Sequence, residues 1–148
     1  MDSGMAAVLG ASMDIQAVSK ESIMVLDIAT SHTVGAHLQA GEISGFFEYH
    51  TRDITLKKLE SLLQDQADGK LVHEIVLEEG GHGAYTRKAP GFDHVEIIIA
   101  TGPKRKLVKN TDLDIMYGAP LGDNMMTGTV GLLEAIRKRK KLPPLKYI

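Results

Sequence analysis

The run Ile23-Met24-Val25-Leu26-Asp27-Ile28-Ala29-Thr30-Ser31-His32-Thr33 decides how this chain is read. Ile23 to Leu26 is continuously apolar and ends on a carboxylate, the pattern of a central strand buried on both faces. Beyond the turn, Val34, Ala36, Leu38 and Ala40 alternate with Gly35, His37 and Gln39. After Ala40-Gly41-Glu42, the residues Ile43, Gly45, Phe47 and Tyr49 alternate with Ser44, Phe46, Glu48 and His50. Both segments have the period of two expected of strands. Ile23 to Thr51 is therefore predicted to form three successive antiparallel strands, the first of which delivers Asp27 to a hydroxyl-rich turn.

Working outward, Ser3 is the expected N-cap of a short helix through Met5–Ala11, whose small residues permit close packing. Thr55 caps a second helix, with Ile54 and Leu59 placed as a hydrophobic staple and Leu56, Leu59, Leu62 and Leu63 on one stripe. Gln64 to Gly91 reads as the least regular part, with one helical segment near Leu71 to Leu77 and a loop at Gly80-Gly81-His82-Gly83. Val95 to Ala100 is a second buried strand, stopped by Thr101-Gly102-Pro103, with Pro103 opening a short helix. Leu113 to Tyr117 reads as the last strand. Asp123 caps a final helix with Met126, Val130, Leu132, Leu133 and Ile136 inward, and Gly128, Gly131 and Ala135 form a stripe that invites close approach. After the basic run Arg137 to Lys141, Pro143-Pro144 ends the fold, so residues 137–148 read as a basic, Pro-containing tail. The order β-β-β-α-β-α-β-α predicts an α/β ribonuclease H-like half-domain, a mixed sheet with helices on both faces.

At 148 residues and 43% hydrophobic content, the chain has the size and core of one domain. A net charge of −2 and a pI of about 6.3 give no global field to draw nucleic acid or an anionic membrane. There is no cysteine, so the chain has no disulfide, thiolate nucleophile, zinc finger or cysteine-ligated iron–sulfur cluster of its own, a usage compatible with a cytoplasmic location. No apolar run approaches the roughly 20 residues that span a bilayer. Met1-Asp2-Ser3-Gly4 runs straight into the first helix, which leads us to expect the C-terminal half of a longer protein.

The segment Asp27-Ile28-Ala29-Thr30-Ser31-His32-Thr33 resembles the second phosphate-binding turn of the actin, hexokinase and chaperone ATPase superfamily. Ile97-Ile98-Ile99-Ala100-Thr101-Gly102-Pro103 sits where that superfamily places its adenosine-contacting turn. More narrowly, Gly81-His82-Gly83-Ala84, Thr101-Gly102-Pro103 and Pro120-Leu121-Gly122-Asp123-Asn124-Met125-Met126-Thr127-Gly128 resemble a prokaryotic family whose members carry the label pyruvate formate-lyase activating enzyme. The resemblance covers nearly the whole chain, and its last two segments are the more specific. It implies an actin-like ATPase fold, of which this chain is the C-terminal half, and Mg²⁺ with a nucleotide in the cleft. Ala29 stands where the ATPase turn prefers Gly, and Gly102 stands alone where a pair is usual. Activating enzymes of the radical type need three cysteines for their cluster, so radical chemistry is not expected of a chain without any.

Asp27 is the candidate catalytic carboxylate and the candidate ligand for a divalent cation held through water. Thr30, Ser31 and Thr33, with the turn N–H groups, are candidates to cradle phosphate. Thr101, Gly102 and Lys104, with Arg105, supply the second turn, expected at the same sheet edge, where open α/β sheets bind ligands. The competing account is a hairpin turn whose Ser and Thr merely satisfy the backbone. His82 is a candidate imidazole on a mobile glycine-rich loop, and Asp123 a candidate base or metal ligand whose plainer role is capping. His32, His37, His50, His73, His82 and His94 include no helical pair of the zinc hydrolase type, so no dedicated metal site is expected. The basic run is expected to complement the helix dipole rather than to bind nucleic acid.

Three function classes follow. The leading one is one side of a nucleotide or phosphometabolite cleft. The second is a non-catalytic binding or assembly module with a decayed phosphate turn, and the third a metal-dependent hydrolase using His82, Asp27 and Asp123. The expected partners are the missing N-terminal half, or a second copy docking on the first helix and the Gly128, Gly131 stripe, and a small anionic ligand.

Overall fold

Strand β1 (Ser22–Ile28) is buried along its whole length, and the computed structural model, which describes residues 1–147, is arranged around it. The other strands are β2 (His32–Gln39), β3 (Glu42–His50), β4 (Gly81–Thr86), β5 (Ile97–Thr101) and β6 (Ile115–Tyr117). They form a six-stranded sheet in the order β4-β3-β2-β1-β5-β6. β1, β2, β3 and β4 pair antiparallel in succession, while β5 and β6 run parallel to β1 on its other side. Apart from the added edge strand β4, this is the mixed order of the ribonuclease H-like fold.

The four helices are α1 (Ser3–Ala11), α2 (Leu56–Asp68), α3 (His73–Glu78) and α4 (Thr127–Lys140). Alternation along β1 divides the core. Ile23 and Val25 join Val34, Ala36, Leu38 and Ile99 beneath Val8 and Ala11 of α1. Met24, Leu26 and Ile28 join Phe47 and Tyr49 beneath Leu59, Leu62 and Leu63 of α2. Covering both faces explains why β1 is an unbroken apolar run, and each fully buried side chain of this size contributes about 1.5–3 kcal/mol. Asp27 follows Val25 in the alternation and therefore emerges on the α1 face.

The caps follow elementary hydrogen bonding, with one change. Thr55 Oγ1 accepts from Lys58 N–H at 3.2 Å, and Ile54 and Leu59 share one cluster as a staple should. Gly69, at φ 71°, ends α2. At α1 the cap is Asp2 rather than Ser3, its carboxylate accepting from Gly4 and Met5 at 2.9 and 3.2 Å.

Several expectations are corrected. Gln64 to Gly91 is ordered: α2 continues to Asp68, and α3 and β4 follow. β4 carries no apolar alternation because it is an edge strand held by its backbone ladder to β3, so Gly80 to Gly83 is not a mobile loop. The helix expected after Pro103 is a single tight 3₁₀ turn, Arg105–Val108. The last strand is shorter than expected, beginning at Ile115.

α4 is turned relative to its expected face. Thr127, Val130, Gly131 and Glu134 are buried, whereas Met126, Leu132, Leu133 and Ile136 are exposed. Of the small-residue stripe, Gly131 faces inward, where a Cβ would collide with the Ala6 carbonyl, and one on Gly10 would collide with that of Thr127, whereas a Cβ on Gly128 would meet open space among the described residues. α1 and α4 thus meet at backbone contact, and of the surfaces expected to serve self-association the first helix and Gly131 cover each other within the chain.

The C-terminal segment returns to the fold. Tyr147 is buried, and its hydroxyl donates to Glu134 Oε1 at 2.8 Å. Glu134, only 1% exposed, also pairs with Arg137 at 2.7 Å. Pro143-Pro144 does not end the structure, and Ile148, the last residue of the expected tail, lies outside the described residues. Among these residues no helix is long and apolar enough to cross a membrane.

Candidate functional site

β1 and β5 end side by side, with Asp27 paired to Thr101. Their following turns touch: Lys104 N–H donates to the Ile28 carbonyl at 3.0 Å. Gly102, at φ 90°, lies so close that a Cβ there would stand 2.5 Å from the Ile28 carbonyl oxygen. The loop before α4 joins them, Asn124 Nδ2 donating to the Gly102 carbonyl at 3.0 Å.

Asp27 faces a cleft of about 390 Å³ that is also lined by Asp2, Ser31, His32, Glu48 and His82. Its residue is only 8% exposed, and burial raises its carboxyl pKa to about 6. Among the described residues no hydrogen bond or ion pair offsets that burial. At the hairpin tip Thr30 and Ser31 are exposed. Ala29 N–H closes the turn on the His32 carbonyl at 3.0 Å, while the N–H groups of Thr30 and Ser31 have no backbone acceptor among the described residues.

The remaining predicted residues separate. Thr33 is fully buried, on the sheet face opposite Asp27, where its hydroxyl meets that of Thr51 at 3.0 Å. Thr51 in turn donates to the Ala29 carbonyl at 2.8 Å, so these hydroxyls brace the hairpin from behind and do not face a ligand. The Thr101 hydroxyl donates to Thr127 Oγ1 at 2.9 Å, tying β5 to α4. Lys104 lines another cavity, with Arg52 and Lys106, and Arg105 donates to the Gly118 carbonyl at 2.8 Å. Asp123 accepts from Met125 N–H at 2.9 Å and does not line the cleft. Of the hydrolase set, Asp27 and His82 share a cleft and Asp123 stands apart.

His82 is brought against His32 and His50 by the pairing of β2, β3 and β4, their ring centroids lying 4.5 to 4.8 Å apart. Sequence reasoning placed His82 on a loop and gave His50 no role. The signal available was the register of the hairpin formed by β2 and β3, which sets His32 opposite His50; His82 needed the unrecognised β4. A larger cavity, about 550 Å³, lies between α2 and α3. Of its three lysines, Lys58 is engaged by Glu79 at 3.2 Å and Lys70 by Asp68 at 2.7 Å, while Lys57 is in no ion pair among the described residues.

Solved structures similar to the chain include the apo psk41 ParM protein, at 15% identity and a TM-score of 0.47, covering 92% of this chain and 49% of that one. MreB5 of Spiroplasma citri bound to ADP matches at 12% identity and a TM-score of 0.48, covering 95% and 61% respectively. The activator of the 2-hydroxyisocaproyl-CoA dehydratase from Clostridium difficile with bound ADPNP matches at 12% identity and a TM-score of 0.47, covering 99% and 71%. The chain thus spans about half the length of the ParM protein. No curated protein matches it. Residues 1–107, well over half of the sequence, match a family model, and the chain belongs to that family, described as "Putative pyruvate format-lyase activating enzyme (DUF1786)".

Proposed function

We propose that this chain forms one wall of a cleft for a magnesium-complexed nucleotide or phosphometabolite, at the joined ends of β1 and β5. The observation that carries the reading is Asp27: a carboxylate buried at the ends of two parallel strands, facing a cleft, with no group among the described residues to offset its burial. Carboxylates there are hard oxygen donors, and Asp27, with Asp2 and Glu48 lining the same cleft, fits an ion that keeps several of its waters. Magnesium, when bound, shields phosphate charge from these carboxylates. The chain's own part is positional. Asp27 anchors the hydrated ion, the free N–H groups of Thr30 and Ser31 donate to phosphate oxygens, and Gly102 keeps the second turn against the first.

The opposite wall comes from another segment or a second copy. We place that association on the exposed apolar stripe Leu132, Leu133 and Ile136 of α4. The test is a thermal-shift panel of ATP, ADP and inorganic phosphate, each with and without Mg²⁺, because a ligand that binds only the folded state raises Tm. The expected result is a magnesium-dependent rise with nucleotide or phosphate, lost in Asp27→Asn. No shift with any anion overturns the reading and leaves the assembly module, for which Ala29 in the turn already speaks, as the better account.

A further inference from the structure

We propose that His32, His50 and His82 form a binding site for a transition-metal ion of the zinc class. One ligand atom from each of these three residues can be chosen so that all lie within 4.8 Å of one another. Nε2 of His50 and Nε2 of His82 are 3.1 Å apart. A tetrahedral ion bonded to nitrogen at 2.0–2.1 Å holds two such ligands about 3.3 Å apart, so this pair already spans one edge of the coordination polyhedron. Nδ1 of His32 is engaged by Ser31 Oγ at 3.0 Å, which leaves its Nε2 free and supplies the outer hydrogen bond that orients a ligating imidazole.

The backbone is shaped to make this arrangement. His32 and His50 are direct partners across β2 and β3 and so project from the same sheet face. In β4 the register shifts, Glu48 pairing with Gly83 and Tyr49 with Gly81, so that His82 is the extra residue of a bulge. Side chains at Gly81 and Gly83 would meet Val76 and His73 of α3, so His82 between them turns to the opposite face, where the other two rings lie. His82 is exposed and adds nothing to the core, so packing does not account for its placement.

Three nitrogen ligands leave a fourth position open, the coordination of a reactive rather than a purely structural zinc site. His32 and His82 line the same cleft as Asp27 and Glu48, so the open position faces these carboxylates and takes water or an anionic group from the cleft. Neutral imidazole suits zinc, copper, nickel and iron, and not magnesium. The site is independent of the nucleotide reading, and either can fail without the other.

The experiment uses the tag-free full chain, stripped with a chelator and kept free of nucleotide. Zinc is titrated calorimetrically, and Co²⁺ is titrated in parallel by its visible absorption, which is intense only in tetrahedral surroundings. The expected result is one ion per chain and a raised Tm. His50→Ala and His82→Ala should each weaken binding by at least about tenfold and abolish the cobalt band. His94→Ala, a histidine outside the cluster, should change neither. Circular dichroism checks each fold; if His50→Ala unfolds, His82→Ala, at an exposed edge position, carries the test. Absence of saturable binding, or binding unchanged in the folded variants, overturns the proposal.

Discussion

Gly102 lies directly against Asp27: a Cβ on the glycine would stand 2.7 Å from the carboxylate Oδ1 and equally close to the Ile28 carbonyl carbon. Its left-handed φ of 90° adds a second objection to any side chain. The close approach belongs to the fold itself, since it brings the two turns into contact before any ligand arrives. Gly102→Ala is expected to lower stability by about 2–3 kcal/mol in urea unfolding. Gly128→Ala provides the contrast. Among the described residues nothing lies within 4 Å of a Cβ there, so relief of helix entropy should stabilise α4 by about 0.5–1 kcal/mol.

Asp27 makes stability depend on pH with a definite sign. Its folded pKa of about 6 lies above the ordinary value of 3.8 because burial disfavours the charged form. The folded state therefore holds its proton longer than the unfolded state, and stability falls as pH rises from about 4 to about 6. A shift of this size corresponds to about 3 kcal/mol. Asp27→Asn should remove that slope, equalling the parent near pH 3.5 and exceeding it at pH 7. Urea midpoints at the two pH values check this, and Mg²⁺ should diminish the difference if the ion sits at Asp27.

Thr33→Ala is expected to leave any anion response unchanged. Its hydroxyl faces Thr51 on the far side of the sheet, so the loss should appear as about 1–2 kcal/mol of stability, from a buried hydroxyl left with one partner fewer. A variant that folds normally yet loses ligand-induced Tm shifts would place the ligand behind the hairpin rather than beside Asp27.

The buried Glu134 gives a fourth test. The hydrogen-bonded Arg137 holds its carboxyl below the usual range, with Tyr147 contributing further. Stability from this group is present above about pH 4.5 and is lost as pH falls through the depressed folded value. Arg137→Ala leaves a buried carboxylate with only the Tyr147 hydroxyl and should cost about 3–5 kcal/mol at pH 7. Tyr147→Phe should cost about 1–2 kcal/mol. Thermal melts of the two variants at pH 7 and pH 3.5 separate the charged from the neutral contribution, because only the former fades in acid.

What the sequence by itself determined was the hydrophobic periodicity and the turns it implies. An apolar run ending at Asp27, two alternating strands and a second apolar run through Ile97-Ile98-Ile99 left little choice about the central sheet, because burial on two faces and on one face leave different patterns. Thr55 and Ile54 fixed the start of α2 in the same local way. The edge strand β4, the turned face of α4 and the return of Tyr147 left no such mark. An edge strand is held by backbone bonds that every residue offers, and a glycine stripe states that something is near without saying which helix.

The site divides along the same line. That Asp27 ends a strand is local information, carried by residues next to it in the chain. That Gly102 rests on its carboxylate, that the Thr33 hydroxyl turns away from it, and that β4 carries His82 to His32 and His50 depend on pairings between distant segments, His50 and His82 alone being 32 residues apart. Strand order and register decide such meetings, and only the assembled sheet specifies both.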